Sequence, residues 1–184
     1  MVKKGRIFVI AGPSGAGKDT LIKRAIENLD VHLSVSATTR KPRPGEVEGS
    51  DYRFLSDREF DRLVASDAFL EWKDVYDNRY GTLKCDVEDA ISAGLDVILE
   101  IDVKGALDIK SRVEDAVLVF IMPPSMEELE ARLRGREADP ESEIKTRTEI
   151  APWEIEMGEK EFEIVIVNDD IDRAVGELAM VLGR

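Results

Sequence analysis

Residues 7 to 20 read IFVIAGPSGAGKDT: five apolar residues break into glycines, and a helix-forming stretch follows at once. An apolar run without polar alternation is the pattern of a strand buried on both faces. A helix launched straight from such a strand crosses over to a parallel neighbour, and that crossover is right-handed in nearly all proteins. The loop between them narrows the possibilities further. Gly12, Gly17 and Lys18 have the spacing G-x-x-x-x-G-K, in which glycines let successive amides converge on an anion at a helix start. Gly12, Pro13, Ser14, Gly15, Ala16, Gly17 and Lys18 therefore form a candidate nucleotide-phosphate site, with Lys18 aimed at the outer phosphates. The next position usually holds a hydroxyl that helps hold Mg²⁺, but here it is Asp19. A carboxylate binds Mg²⁺ directly or through water, and Thr20 offers a hydroxyl one place later.

The remainder of the chain keeps the same rhythm. DVILEID, AVLVFIM and EIVIVN read as buried strands, followed by the helical patterns VKGALDIKSRV, SMEELEARLRGR and DIDRAVGELAMVLGR. KDTLIKRAIENL is the first helix, and Ser125 with Glu128 has the spacing of a capping box. This alternation predicts an α/β fold with a mostly parallel sheet flanked by helices. Residues 33 to 82 depart from it: Pro42, Pro44, Gly45 and Gly49 mark turns, and aromatic, strand-like segments flank a helix expected from Asp57 to Ser66. A second excursion runs from 125 to 162, with a helix start expected at Asp139–Pro140 and a kink at Pro152.

Composition removes several classes of function. The chain has 184 residues, enough for one substantial core, and a formal net charge of −13, which argues against a nucleic-acid surface. No apolar stretch approaches the ~20 residues that span a bilayer, and the N-terminal segment reads as a strand and not a leader. These features predict a cytoplasmic protein, a monomer or small homo-oligomer, with neither nucleic acid nor membrane as partner. Cys85 is the only cysteine, so no internal disulfide forms, and the lone His32 is expected to be solvent-facing or locally bonded.

Within residues 33 to 82, Arg40 and Arg43 lie in a proline-stiffened loop with Tyr52 beyond. Two guanidinium forks and a phenol suit a phosphate monoester. Glu71 precedes Trp72, and its plainest reading is a surface carboxylate beside a core tryptophan. The motif SVSATTRKPRPGE is highly specific, and with FLEW, RYGT, ILEID, RLRGR and VIVNDD in order the chain resembles the guanylate kinase family from about residue 5 to 182.

That resemblance implies a P-loop NTPase-type sheet and transfer of the γ-phosphate of ATP to GMP, with Mg²⁺ as cofactor. It divides the single domain into a core (about 1–32, 83–124 and 163–184), a GMP-binding lobe (33–82) and a lid (125–162). It assigns Arg40, Arg43, Tyr52 and Tyr80 to the GMP phosphate, and Ser36, Glu71, Thr82 and Asp102 to guanine. Guanine presents N1–H and N2–H₂ side by side, which one carboxylate accepts in parallel, whereas adenine meets it with an acceptor at N1. Asp102, at a strand end, is also expected to order Mg²⁺ waters, along with Asp19 and Thr20. Glu100 shares its strand face and is a weaker metal candidate. Lys18, Arg132, Arg136 and Arg147 correspond to the cations around the transferring phosphoryl group, and Asn168 to an adenine contact. Two alternatives stay open at this point: a sugar-phosphate kinase on the same fold, and a non-catalytic binding module.

Overall fold

The computed structural model describes residues 5–75, 77–135 and 141–183. The chain opens with β1 (Ile7–Ala11), α1 (Lys18–Ala25) and β2 (Val31–Leu33), then β3 (Ala37–Thr38), β4 (Arg53–Phe54), α2 (Asp57–Ala65) and the hairpin β5 (Phe69–Val75) and β6 (Asn78–Leu83). It continues through α3 (Lys84–Ser92), β7 (Asp96–Glu100), α4 (Val103–Arg112), β8 (Val117–Met122), α5 (Met126–Arg134), α6 (Glu141–Glu161), β9 (Ile164–Val167) and α7 (Ile171–Leu182). The expected helix start at Asp139–Pro140 lies outside the described residues.

Among the described residues, five strands pair in parallel in the order β2-β7-β1-β8-β9. Period-two alternation divides the core into two layers. Ile7, Val9 and Ala11 face Val103, Ala106 and Ile109 of α4, while Phe8 and Ile10 face Leu21 and Ile22 of α1 and Leu178 of α7. All five residues of β1 are buried, which is why its sequence shows no polar alternation. From β1 the chain leaves to one side, to β2, and β8 lies on its other side, so the strand order reverses there. Ligands bind such sheets in the crevice beyond the carboxyl ends of the strands at this reversal, and the glycine loop emerges there.

A second sheet, in the order β4-β3-β6-β5, is built from the segment that broke the rhythm. Its own core is Ala37, Phe60, Phe69 and Leu83, with Phe60 stacked on Phe69 at 4.5 Å between centroids. The helix α2 is fixed by a full capping box between Ser56 and Glu59. At Ser125 only half of such a box forms: its hydroxyl accepts from the Glu128 amide, while the Glu128 carboxylate turns to Arg132. Asp86 ties the two sheets together. Its carboxylate accepts from the Ser34 hydroxyl at 2.7 Å, lies 3.1 Å from His32 Nε2, and sits 3.6 Å from Arg53 of β4. His32 is thus locally bonded, one of the two expected states.

One helix is shorter than its sequence pattern. The first ends at Ala25 and not near Leu29, because the Leu29 amide bonds the Ile26 carbonyl and tightens the chain before β2. The last of the second excursion, α6, continues through Pro152, whose missing N–H deprives only the Thr148 carbonyl of its intrahelical partner. Gly158 sets how closely α6 approaches β8: a Cβ there would stand 2.5 Å from the ring of the fully buried Phe120. Gly158→Ala gains intrinsic helix propensity but must push α6 off the sheet. Denaturant unfolding should show a net loss of about 1–3 kcal/mol, and a gain in stability would refute this packing.

Candidate active site

A cleft of about 350 Å³ opens between the carboxyl edge of the parallel sheet, the second sheet and α6. At one end lies the glycine loop. Gly17 takes φ 89° at the N-cap of α1 and offers no side chain to the first turn, so the helix start is left to a ligand. A Cβ at Gly17 would lie 2.5 Å from the Asn168 amide nitrogen, so only glycine fits. Asn168 is buried and donates to the Ala16 carbonyl at 2.7 Å, which braces the loop from beneath. Its side chain does not line the cleft. Lys18 arches back over the loop, donating to the carbonyls of Gly12 at 2.6 Å and Pro13 at 3.1 Å. Asp19 lines the cleft and pairs with Lys23 at 2.8 Å. Thr20 is exposed on α1, away from the cleft lining.

At the other end, β5 and β6 carry a polar pocket into the cleft. The β5–β6 pairing sets Glu71 opposite Thr82, with a register irregularity between Phe69 and Glu71. Glu71 is only 5% exposed, and its Oε1 accepts from the Thr82 hydroxyl at 2.9 Å. Trp72, on the opposite face, is 38% exposed and packs edge-on against Phe60. The plain reading of this dipeptide is therefore inverted: the carboxylate is inside and the indole outside, because the irregularity after Phe69 breaks strict alternation, leaving Phe69 and Trp72 against Phe60 and turning Glu71 to the other face with Thr82. Burial, and then the nearby Asp102 charge, push the Glu71 carboxyl from 4.5 up to about 7. Gly105 on α4 comes close to this group, for a Cβ there would stand 3.1 Å from Glu71 Oε2 and 3.3 Å from Asp102 Oδ1. Asp102 caps α4, accepting from the Gly105 amide at 2.6 Å. Ser36 also lines this end; Thr82 lies behind it, bonded to Glu71.

Arg40, Arg43, Tyr52 and Tyr80 line the middle of the cleft. The Arg40 guanidinium stacks on Tyr52 at 5.2 Å and on Phe54 at 5.8 Å. Burial works against its charge, but the Glu46 carboxylate and the Tyr80 hydroxyl together outweigh burial and raise its pKa. Burial also pushes the Tyr52 phenol up to about 12, so it stays a hydroxyl donor.

From the α6 side, Arg147 reaches across and donates to the Ser14 hydroxyl at 2.9 Å and to Glu143 at 3.0 Å. Arg132 pairs with Glu128 at 3.0 Å and donates to the Asn168 carbonyl at 3.2 Å, outside the cleft lining. Arg136 lies outside the described residues. Three charged lining residues escaped the sequence reading: Glu46, Lys73 and Glu154. Glu154 carried a signal, since with Arg147 and Ile150 it falls on one helical face. Burial raises its carboxyl pKa too, while Lys18 draws it down.

Residues 4–184 match the family model for guanylate kinase. The chain is 48% identical over 181 residues to a guanylate kinase of Caldanaerobacter subterraneus, covering 98% of this chain and 87% of that one. It is 44% identical to that of Fusobacterium nucleatum, covering 97% and 96%. The crystal structure of guanylate kinase from Anaplasma phagocytophilum superposes with a TM-score of 0.79 at 35% identity, covering 100% of this chain and 87% of the other. Motif, fold and full-length likeness agree, and the chain belongs to the guanylate kinase family.

Proposed function

We infer that this cleft carries out the reaction of its family, the ATP-dependent phosphorylation of GMP to GDP. The observation that carries the inference is a 5%-exposed carboxylate, Glu71, at the far end of a cleft that begins at a phosphate-binding loop. The assignment divides the chain into the core, the 33–82 lobe that takes GMP, and the 125–162 lid. ATP lies with its phosphates on residues 12–20, and Lys18 moves from the loop carbonyls to the outer phosphates. GMP enters with guanine against Glu71, Ser36, Thr82 and Asp102, and with its phosphate between Arg40, Arg43, Tyr52 and Tyr80.

The two phosphates then meet end to end in the middle of the cleft. Phosphoryl transfer needs little covalent help from the protein, so alignment and charge neutralisation supply the rate. Arg147 already stands on the loop hydroxyl of Ser14 and reaches the transferring group from the lid. The family resemblance adds Arg136. Arg132 would join them only by leaving Glu128 and the Asn168 carbonyl. A shut lid excludes water, which is otherwise a competing acceptor.

The donor set suits Mg²⁺ carried in with the nucleotide. Among the described residues, no group of three or more acidic, histidine or cysteine side chains could hold a metal. A hard cation that keeps several waters and binds chiefly to phosphate needs only one or two carboxylates, and Asp19 and Asp102 line the cleft. Mg²⁺ bound there would neutralise charge on the phosphates, with Asp19 or Asp102 orienting its waters.

Two measurements check these assignments. Glu71→Gln replaces one of two acceptors by a donor that opposes the guanine N–H groups. The ratio of kcat/KM for GMP over AMP should fall by at least about 100-fold, with KM for ATP unchanged; an unaltered ratio removes Glu71 as the base reader. Asp19→Ala should raise the Mg²⁺ concentration for half-maximal rate by about tenfold, and an unchanged Mg²⁺ profile would exclude Asp19 from metal handling.

A further inference from the structure

The acceptor end of the cleft contains an anion of the protein's own. Glu46 Oε1 accepts from Arg40 Nη2 at 2.7 Å, and Oε2 accepts from Arg40 Nη1 at 2.9 Å and from the Arg43 amide at 2.6 Å. One carboxylate thus grips both arginines assigned to the GMP phosphate, one through its side chain and one through its backbone. The local sequence makes this grip. Arg43-Pro44-Gly45-Glu46 has proline at the second position and glycine with φ 89° at the third, and the Glu46 amide bonds the Arg43 carbonyl at 3.1 Å. That is the pattern of a type II turn, and it folds the Glu46 side chain back over the Arg43 amide.

A carboxylate in this place could act in two opposite ways. It could occupy the arginine until phosphate displaces it, or it could hold the arginine ready. Displacement would break three charge-assisted bonds and release the turn they close, so retention is favoured. The donors of the guanidinium suffice for both anions. Glu46 takes the end-on pair of the guanidinium, Nη1 and Nη2. Nη1 also donates to the Lys41 carbonyl at 2.8 Å, and the Tyr80 hydroxyl bonds the same guanidinium; a phosphate would be met side-on, beside Tyr80, through Nε and the second Nη2 hydrogen, the other bidentate edge of the fork. The flat face is fixed by stacking on Tyr52 and Phe54.

We propose that Glu46 is a positioning residue for the acceptor phosphate, fixing Arg40 and the Arg43 backbone so that the monoester meets donors already aligned. Much of the rotamer freedom of Arg40 is then lost on folding and not on binding, which favours affinity. The proposal rests on the reading that Arg40 and Arg43 bind the GMP phosphate, and the experiment separates the two. Calorimetry on the full chain compares GMP with guanosine, which has the base and sugar but no phosphate, for Glu46→Ala, Glu46→Gln, Arg40→Ala and the double variant Arg40→Ala/Glu46→Ala.

Glu46→Ala should weaken GMP about 10- to 100-fold, leave guanosine unchanged, and add little once Arg40 is gone. Glu46→Gln keeps the shape without the charge, should fall between, and carries the test if the alanine variant does not fold. Unchanged or tighter GMP binding in the Glu46 variants, with Arg40→Ala weakened, overturns the proposal and spares the phosphate-site reading. Equal losses for GMP and guanosine reduce Glu46 to a purely structural role and overturn it as well. No loss of GMP affinity in Arg40→Ala would instead overturn the phosphate-site reading itself.

Discussion

A carboxylate taken out of water destabilises a fold unless something returns the lost solvation, and the acceptor side of this molecule is arranged around one. Glu71 accepts a bond from the Thr82 hydroxyl, and its carboxyl stands at about 7 in place of 4.5. Such a shift corresponds to roughly 3 kcal/mol against the ionised form. Because the folded value is raised, the associated stability is fully present below pH 4.5 and is lost as pH rises through about 7. At neutral pH the pocket is therefore under-satisfied, and in the proposed binding mode guanine would supply two N–H donors to the carboxylate. A base with an acceptor at the same place leaves the charge buried and unpaired. Selectivity of this kind comes from the penalty on the wrong base as much as from contacts with the right one.

The glycine loop poses the complementary problem, a helix start that no side chain caps. The doubly buried sheet holds that helix start in place. Asn168, at the end of β9, bonds the Ala16 carbonyl, and Arg132 bonds the Asn168 carbonyl, so the edge of the sheet and α5 both brace the loop. In the proposed reading, positive donors at one end and a buried acid at the other would define where two nucleotides lie. Asp86, shared by Ser34, His32 and Arg53, links the sheets that carry these ends.

The sequence revealed the parallel sheet because both its faces are covered, which makes IFVIA, DVILE and VLVFIM continuous apolar runs. The glycine spacing was equally legible, since a phosphate nest needs glycine at set positions. Glu71 and Trp72 were not legible as a pair. Hydrophobicity places an indole inside and a carboxylate outside, and here register reverses both. Arg132 and Asn168 stand in the right motifs, yet their side chains support the loop and do not line the cleft. Glu46 was invisible because an acid after a Pro-Gly turn looks like surface, and its meaning depends on Arg40 folding back over six residues.

The most direct test of the buried acid is its own titration. Carboxyl-carbon NMR, assigned by comparison with the glutamine variant at position 71, should show a group titrating near pH 7 in the nucleotide-free protein. Saturating GMP should move that titration well into the acidic range, as the guanine donors stabilise the charge. An ordinary value near 4.5 in the free protein, or no downward movement with GMP, would contradict the account.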